Sequence, residues 1–302
     1  MNENLKGLIA FLIVFLALLI MGIIEAIFAA PILPGDSSLK IQQAVSQSLK
    51  YRDGVVLLWE RPSGKMRIYG NRELLKEKFF PGSLIKLATT LAALDAGMDP
   101  TYHCTGRQKG PSGMEYCWTP KGHGEQHLVQ ALGQSCNLYF WNLGQSLGWP
   151  SLAKAWQKLD LVWPPGFAPE GKALGDAAIG KSAPLSLSPE EVSRMWEAVL
   201  RLESQGTYRN LFRGLEAAVQ NGTASALSDL DISVIAKTGT GDAGREPYPT
   251  HGWIVAATPA DNPRWAMVVF LKNAHGYGEP TALAKALLEN LPQEEVGDAL
   301  VR

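Results

Sequence analysis

The feature that most restricts how this chain can fold is a tight turn that leads directly into an apolar helix. Residues 84–96 are rich in helix-forming residues, with leucines at helical spacing and Gly97 placed to end the helix. Pro81 and Gly82 precede it and predict a sharp turn. Ser83 and Lys86 then share one face of the first helical turn, where exposed amides and the helix dipole favour a developing negative charge.

Ser83 and Lys86 have the chemistry of a nucleophile and its base. A serine hydroxyl is a weak nucleophile at its ordinary pKa, and a neutral lysine amine within hydrogen-bond distance is one of the few groups that activate it. The same spacing also occurs in ordinary helices whose lysine is solvated. The pair therefore predicts acyl transfer only if other parts of the chain support it.

One long uncharged segment stands apart from an otherwise ordinary composition. The 302 residues carry a net charge of -1, so nothing suggests a nucleic-acid partner. Residues 7–24 contain no charge, a length that fits a transmembrane helix better than the core of a signal peptide. We expect residues 1–30 to form an uncleaved membrane anchor; removal of a signal peptide by a cut after Ala29 is the alternative. Lys6 favours a cytoplasmic N-terminus, which places the rest of the chain outside the membrane.

The remaining chain predicts a linker and start of the fold at residues 31–50 and one α/β domain at residues 51–302. Apolar runs of strand length occur at residues 54–60, 65–69, 231–241, 251–257 and 265–272. The first two predict a hairpin, and residues 281–291 predict a closing helix. Ser188 caps a helix in the middle of the chain, with Pro189 and Glu191 following it. The predicted order is strands, a helical subdomain, strands again and a final helix. This order favours an antiparallel sheet flanked by helices over βαβ units.

Two further motifs follow Ser83-Leu84-Ile85-Lys86 in the chain, namely Ser135-Cys136-Asn137 and Lys237-Thr238-Gly239. An S-x-x-K motif, an S-D-N type motif and a K-T-G motif occur together in penicillin-binding proteins and serine β-lactamases. Each alone is commonly a helix cap or a turn. With Phe80-Pro81-Gly82 before the serine and Thr240-Gly241 after the last motif, residues 54–291 resemble the transpeptidase domain of penicillin-binding proteins and imply a β-lactamase/transpeptidase-like fold.

The resemblance implies roles that the chemistry of the side chains supports. Ser83 would be the acylated nucleophile and Lys86 the base that takes its proton. Ser135 would pass a proton to the leaving nitrogen, and Asn137 would orient Lys86 and the substrate amide. Lys237 would keep Lys86 deprotonated through its positive charge and attract an anionic substrate.

The strand that contains Lys237 would supply the binding groups. Thr238 and Thr240 would offer hydroxyls to a substrate carboxylate, and Gly239 would let the backbone approach the ligand closely. The backbone N–H groups of Ser83 and Thr240 would form the oxyanion hole.

The reaction that the resemblance implies is acylation of Ser83 by the D-Ala-D-Ala end of a peptidoglycan stem peptide. Transfer to an amine is transpeptidation, transfer to water is carboxypeptidation, and neither requires a cofactor. A β-lactam would acylate the same serine. Class D β-lactamases are similar but have an aliphatic residue where this chain has Asn137, which favours the penicillin-binding side. A β-lactamase, or a non-catalytic module that senses β-lactams or docks cell-wall machinery, is the alternative. The implied location is the inner membrane, with one span and an extracytoplasmic catalytic domain.

Three cysteines lie in the segment that leads into the Ser135 motif. A disulfide between Cys104 and Cys117 would enclose a loop of suitable size and leave Cys136 free. The competing prediction is a structural zinc site formed by Cys104, Cys117, His123 and Cys136. Free thiols are the third possibility. The aromatic residues of this region are expected to lie in the core, and they are Trp118, Tyr139, Phe140 and Trp141.

Overall fold

The computed structural model describes residues 36–61, 63–110, 112–243 and 250–292. The chain divides into two units, Met1–Leu39 and Lys40–Arg302, and the fold below is that of the second. The membrane span predicted at residues 7–24 lies outside the described residues. Within the part that is described, no helix has the length and apolar character needed to cross a bilayer.

The elements follow the predicted order of strands, helices, strands and a final helix. The described strands are β1 (Gly54–Glu60), β2 (Lys65–Gly70), β3 (Tyr102–Cys104), β4 (Arg107–Gly110), β5 (Gly113–Tyr116), β6 (Gly124–Gln126), β7 (Ile235–Asp242), β8 (Thr250–Thr258) and β9 (Trp265–Lys272). The described helices are α1 (Asp36–Ser48), α2 (Lys86–Asp95), α3 (Leu128–Gly133), α4 (Asn137–Lys158), α5 (Gly171–Ala178), α6 (Pro189–Leu200), α7 (Arg209–Gln220) and α8 (Glu279–Leu288).

A five-stranded antiparallel sheet forms the centre of the domain, in the order β2-β1-β9-β8-β7. Its central strands are buried along nearly their whole length, because helices cover both faces and alternate side chains enter two separate cores. Val55 and Leu57 pack into the core of the helical subdomain. Val56 and Leu58 pack into a second core with residues of α1 and α8. The predicted hairpin, antiparallel sheet and closing helix are thereby confirmed.

Helix α6 joins the helical subdomain to the sheet. The Ser188 hydroxyl accepts a hydrogen bond from the Glu191 backbone at 3.2 Å, and the Glu191 carboxylate accepts one from the Ser188 backbone at 2.9 Å. This is the capping box that the sequence predicts. At the buried face of the helix, the Trp196 indole N–H donates to the Ala256 carbonyl of β8 at 3.1 Å. The cap and this bond fix the start and the face of α6.

The chain around Ser83 differs from the predicted helix. Residues Gly82–Ile85 form a 3₁₀ turn, and the α-helix begins only at Lys86. Residues three apart eclipse one another in a 3₁₀ turn, so Ser83 and Lys86 still lie on one side. Residues 100–124, where the sequence predicts no strand, contain the short strands β3, β4 and β5. Three- and four-residue strands with interspersed glycines are too short to show an alternating pattern.

The 3₁₀ turn lies directly against the edge strand β7. Gly82 has a φ of 53°, and a Cβ atom there would stand 2.1 Å from the Thr240 carbonyl oxygen. A Cβ atom on Gly239 would stand 2.6 Å from the Pro81 carbonyl oxygen. Real Cβ atoms do not approach backbone oxygens this closely, so both glycines are required for the contact.

This contact predicts a difference between two glycine substitutions. Gly97 also has a positive φ, but no atom lies within 4 Å of a Cβ built there. We expect Gly82→Ala to lower the free energy of unfolding by roughly 2 to 4 kcal/mol, and Gly97→Ala by only roughly 1 kcal/mol. Urea denaturation of the two variants measures both values. Equal decreases in the free energy of unfolding of the two variants would contradict the close packing of the turn on β7.

Candidate active site

One cleft of about 680 Å³ brings the three sequence motifs together. It is lined by Ser83 from the 3₁₀ turn, by Ser135 and Asn137 from the α3–α4 junction, and by Thr238 and Thr240 of β7. Two of the predicted residues, Lys86 and Lys237, lie beneath its surface with no exposed area. The structure therefore assembles all the predicted catalytic residues in one place.

Lys86 is held by three oxygen atoms at the start of α2. Its Nζ donates to the Ser135 carbonyl oxygen at 2.7 Å, to the Asn137 Oδ1 at 2.7 Å and to the Ser135 Oγ at 3.2 Å. Burial disfavours the charged amine and lowers the pKa of Lys86 to about 7. A substantial fraction of Lys86 is therefore neutral at neutral pH and able to accept a proton.

Lys237 reaches the same serine from β7. Its Nζ donates to the Ser135 Oγ at 2.9 Å and to the Thr238 carbonyl oxygen at 2.8 Å. Burial, and secondarily the charge of Lys86, lowers the pKa of Lys237 well below its ordinary value. Burial, and not the repulsion from Lys237 expected from the sequence, is the main cause of the low pKa of Lys86.

The conformation of Ser135 directs its hydroxyl between the two lysines. Ser135 has a φ of 53°, in the left-handed region that residues with a side chain seldom occupy. It lies between the end of α3 and Cys136, which caps α4, so both helices constrain it. A strained backbone held by its surroundings is common where a side chain must be aimed.

The two threonines of β7 are each oriented by a hydrogen bond. The Thr238 hydroxyl donates to the Thr223 Oγ1 at 2.6 Å, and the Thr240 Oγ1 accepts from the Gly276 N–H at 3.1 Å. Gly239 has a different purpose from the one expected. A side chain there would strike Pro81 and Leu84 beneath the strand, so glycine is needed for packing of β7 on the turn rather than for approach to a ligand.

The Ser83 hydroxyl makes no hydrogen bond to any residue that the structure describes, so the direct contact expected with Lys86 is not formed here. Catalytic hydrogen bonds often tighten only when the substrate is bound. The backbone nitrogen of Thr240 lies 3.0 Å from a Cβ built on Gly82, next to Ser83. The two amides expected to form the oxyanion hole therefore belong to neighbouring backbones at one end of the cleft.

Behind the Ser135 loop, three cysteines and a histidine form a compact cluster. All three cysteines are free, so the predicted disulfide between Cys104 and Cys117 is absent. The four ligand atoms lie within 4.8 Å of one another. His123 Nδ1 is 3.6 Å from the Cys104 sulfur and 3.4 Å from that of Cys117, and the Cys117 and Cys136 sulfurs are 3.9 Å apart.

These separations fit a tetrahedral zinc site. Zinc bonds of about 2.3 Å to sulfur and about 2.0 Å to nitrogen place sulfur atoms roughly 3.8 Å apart, and sulfur and nitrogen roughly 3.5 Å apart. The contact between the two thiols lowers the pKa of Cys117, which favours the thiolate form that binds metals, and raises the pKa of Cys136. The Cys117 sulfur accepts a hydrogen bond from the Asn137 N–H at 3.3 Å and so connects the cluster to the active site.

Several residues line the cleft although the sequence does not predict this position for them. Trp118 was expected in the core but is 52% exposed and lines the cleft, while its indole N–H donates to the Gln134 carbonyl at 3.0 Å. Tyr277 lines the same cleft and stacks on Trp118 with ring centroids 6.5 Å apart. Lys181 is a third such residue. The other aromatic residues of the region are buried as predicted, and they are Tyr139, Phe140 and Trp141.

The three motifs meet at one cleft, as the resemblance to the transpeptidase domain of penicillin-binding proteins implies. The chain belongs to this family, because residues 54–292 match the model of the penicillin-binding protein transpeptidase domain. The resemblance drawn from the three motifs is thereby confirmed.

Two named relatives come from mycobacteria. The peptidoglycan D,D-transpeptidase PbpA of Mycolicibacterium smegmatis is 26% identical over 251 residues, which cover 66% of this chain and 51% of that protein. PbpA of Mycobacterium tuberculosis is 25% identical over 294 residues, which cover 78% of this chain and 60% of that protein. The chain thus matches only about half to three-fifths of the length of these relatives.

Solved structures show the same fold at low sequence identity. PBP2 of Pseudomonas aeruginosa superposes with a TM-score of 0.73 at 18% identity, over 85% of this chain and 78% of that one. Penicillin-binding protein A of M. tuberculosis, solved as a ceftriaxone acyl-enzyme complex, gives a TM-score of 0.71 at 20% identity, over 84% and 78% of the two chains.

The burial of Lys86 leads to a prediction about its titration. We expect the side-chain nitrogen of Lys86 to change from ammonium to neutral amine with a midpoint near the pKa of about 7. NMR titration of protein with ¹⁵N-labelled lysine measures this midpoint, and Lys86→Met identifies the signal by removing it. A midpoint near the ordinary lysine value of 10.5 would contradict the account.

Proposed function

We propose that this chain is a membrane-tethered serine D,D-transpeptidase that acts on peptidoglycan stem peptides through an acyl-Ser83 intermediate. The observation that supports this most strongly is the Ser135 hydroxyl, which lies within hydrogen-bond distance of both buried lysines in the cleft that Ser83 lines. The relatives named peptidoglycan D,D-transpeptidase supply the substrate class. The anchor predicted at residues 1–30 would place the domain outside the cytoplasmic membrane.

In the first half-reaction the Ser83 oxygen attacks the carbonyl carbon between the two D-alanines. Neutral Lys86 accepts the serine proton, and the backbone N–H groups of Ser83 and Thr240 stabilise the oxyanion. As the carbon–nitrogen bond breaks, a proton must reach the leaving amine. Ser135 Oγ lies 3.2 Å from the Lys86 Nζ and can relay that proton. D-Alanine leaves, and the rest of the peptide stays on Ser83 as an ester.

The donor peptide binds along β7 in this proposal. β7 is at the edge of the sheet, so one side of its backbone has no partner among the described strands and can pair with an extended peptide in this proposal. The Thr238 and Thr240 hydroxyls would bind the terminal carboxylate, and Lys237 beneath them adds positive potential. An amine from a second stem peptide, or water in a carboxypeptidase reaction, then takes the acyl group from Ser83.

A β-lactamase or a non-catalytic β-lactam sensor on the same fold is the second candidate. Asn137, whose side chain accepts from the Lys86 Nζ at 2.7 Å, favours a transpeptidase over a class D β-lactamase. The complete hydrogen-bond network from Lys86 through Ser135 to Lys237 favours an enzyme over a docking module, which would not need two buried lysines.

Labelled penicillin tests the acylation step. We expect a covalent adduct on Ser83 of the purified protein that is stable for many minutes, because the proposed acceptor is an amine of a second stem peptide and not water. Ser83→Ala should show no adduct, and Lys86→Ala should be acylated at least roughly 10²-fold more slowly because it lacks the base. Mass spectrometry locates the adduct. An adduct that appears in Ser83→Ala, or one released within seconds, would contradict the proposal; the second result would indicate a β-lactamase.

The cluster of Cys104, Cys117, His123 and Cys136 is proposed to hold a structural zinc ion. The fit of the ligand atoms supports it, as does the hydrogen bond from the Asn137 N–H to the Cys117 sulfur. Zinc bound here would brace the loop that aims Ser135 and Asn137. No step of the reaction requires it.

Elemental analysis tests the metal proposal. We expect about one zinc ion per chain in protein purified without chelators, and loss of zinc in His123→Ala because one of the four ligands is gone. His103→Ala is the matched control, since His103 is exposed and outside the cluster, and should retain zinc. A zinc-free protein, a disulfide between Cys104 and Cys117, or full retention of zinc by His123→Ala would each count against the site.

A further inference from the structure

Lys181 lines the cleft with Ser83 but belongs to none of the three motifs. Its side chain is exposed, and the side-chain amine makes no hydrogen bond or ion pair with any residue in the described part of the chain. The amines of Lys86 and Lys237, by contrast, both donate to oxygens of the site. Lys181 therefore brings a positive charge to the wall of the cleft, with no counter-charge among the described residues.

The backbone fixes where this ammonium group can reach. Gly180 has a φ of 79°, and a Cβ atom there would stand 1.9 Å from the Gly82 carbonyl oxygen, so its backbone lies directly on the turn that holds Ser83. The Lys181 N–H donates to the Asp176 carbonyl oxygen at 2.8 Å and ends α5. Lys181 is thus attached rigidly beside the nucleophile, while its four-carbon side chain stays free to reach a ligand.

The charges around Lys181 favour an anion. Asp176, the acidic residue nearest to it in sequence on the cleft wall, is paired with Lys172 at 2.7 Å. Lys181 also adds to the positive potential that disfavours protonation of Lys86. A ligand with a negative group near residue 181 would be attracted by the Lys181 ammonium and repelled by no unpaired carboxylate of α5.

We propose that Lys181 binds a carboxylate on the side chain of the acyl donor, separate from the terminal carboxylate assigned to Thr238 and Thr240. The backbone of Gly82 packs against both Thr240 and Gly180. The two proposed anion-binding positions, at Thr240 and at Lys181, are therefore separate neighbours of the turn that holds Ser83. A donor attached to Ser83 would then be oriented at two points, and Lys181 would select donors that carry the second negative charge. This inference rests on the proposed function.

Two penicillins that differ by one carboxylate provide the test. Carbenicillin is benzylpenicillin with an added carboxylate on its side chain, and both acylate through the same lactam carbonyl. Acylation rate constants are measured for each with wild type, Lys181→Gln and Lys181→Glu. We expect Lys181→Gln to lower the carbenicillin to benzylpenicillin rate ratio by roughly three- to tenfold, as for an exposed charge-assisted contact, and Lys181→Glu to lower it further.

The ratio removes effects that act equally on both penicillins, such as a change in the pKa of Lys86. General attraction of anions acts more strongly on carbenicillin, which has one more negative charge, and it is controlled by removing a lysine charge elsewhere. Lys154→Gln is the matched control, because Lys154 is exposed on α4 and does not line the cleft; it should leave the ratio unchanged. Peptides ending in D-Ala-D-Ala, with a free or an amidated carboxylate on the preceding side chain, should show the same dependence on Lys181.

Two results would overturn the inference, and they are distinguishable. Acylation with an unchanged ratio in both Lys181 variants would remove the role of Lys181 and leave the proposed function intact. Failure of the wild type to react with either penicillin would overturn the proposed function, and this inference with it.

Discussion

Two lysine amines buried beside a single serine hydroxyl impose the strongest constraint on this structure. Lys86 and Lys237 have no solvent-exposed area, so a charge on either is costly unless protein oxygens replace the solvent. Oxygens of Ser135 and Asn137 surround the Lys86 amine at 2.7 to 3.2 Å. Because the Ser135 loop must supply these atoms, its backbone adopts a left-handed conformation that the two flanking helices hold in place. A lysine with a low pKa, and hence a base at neutral pH, is the consequence.

The same constraint explains the contacts around the nucleophile. Ser83 must stay close to the lysine pair although it belongs to a separate segment, and the glycine contacts between its turn and β7 keep the two backbones together. From the other side, the cysteine cluster contacts the first residue of α4 through the Cys117 sulfur. Ser83 thus shares one cleft with β7 and with the start of α4, which the cysteine cluster contacts. Rigid support of this kind keeps reacting groups within the small tolerance that catalysis needs.

Local sequence patterns predicted much of this architecture. Continuous apolar runs indicated the buried strands, and the Ser188 capping box indicated the start of α6, because both depend on neighbouring residues. Features that depend on distant residues were missed. The sequence predicts a core position for Trp118 because it does not show that the surrounding residues form the mouth of a cleft. It predicts a ligand contact at Gly239 because it does not show that Pro81 lies beneath the strand. Of the three alternatives that the sequence left open for the cysteines, the disulfide is absent, and His123 Nδ1 lies 3.6 Å from the Cys104 sulfur and 3.4 Å from that of Cys117.

The fate of the acyl group most directly tests the claim that this site is a transpeptidase. A peptide ending in D-Ala-D-Ala is incubated with the protein, with and without an amine that mimics the acceptor stem peptide, and the released D-alanine and the products are quantified. The account predicts that D-alanine is released and that added amine diverts the acyl group from hydrolysis into a new amide, both in a Ser83-dependent manner. Release of D-alanine with hydrolysis alone at every amine concentration would indicate a carboxypeptidase. No release, despite acylation by penicillin, would contradict an enzymatic role.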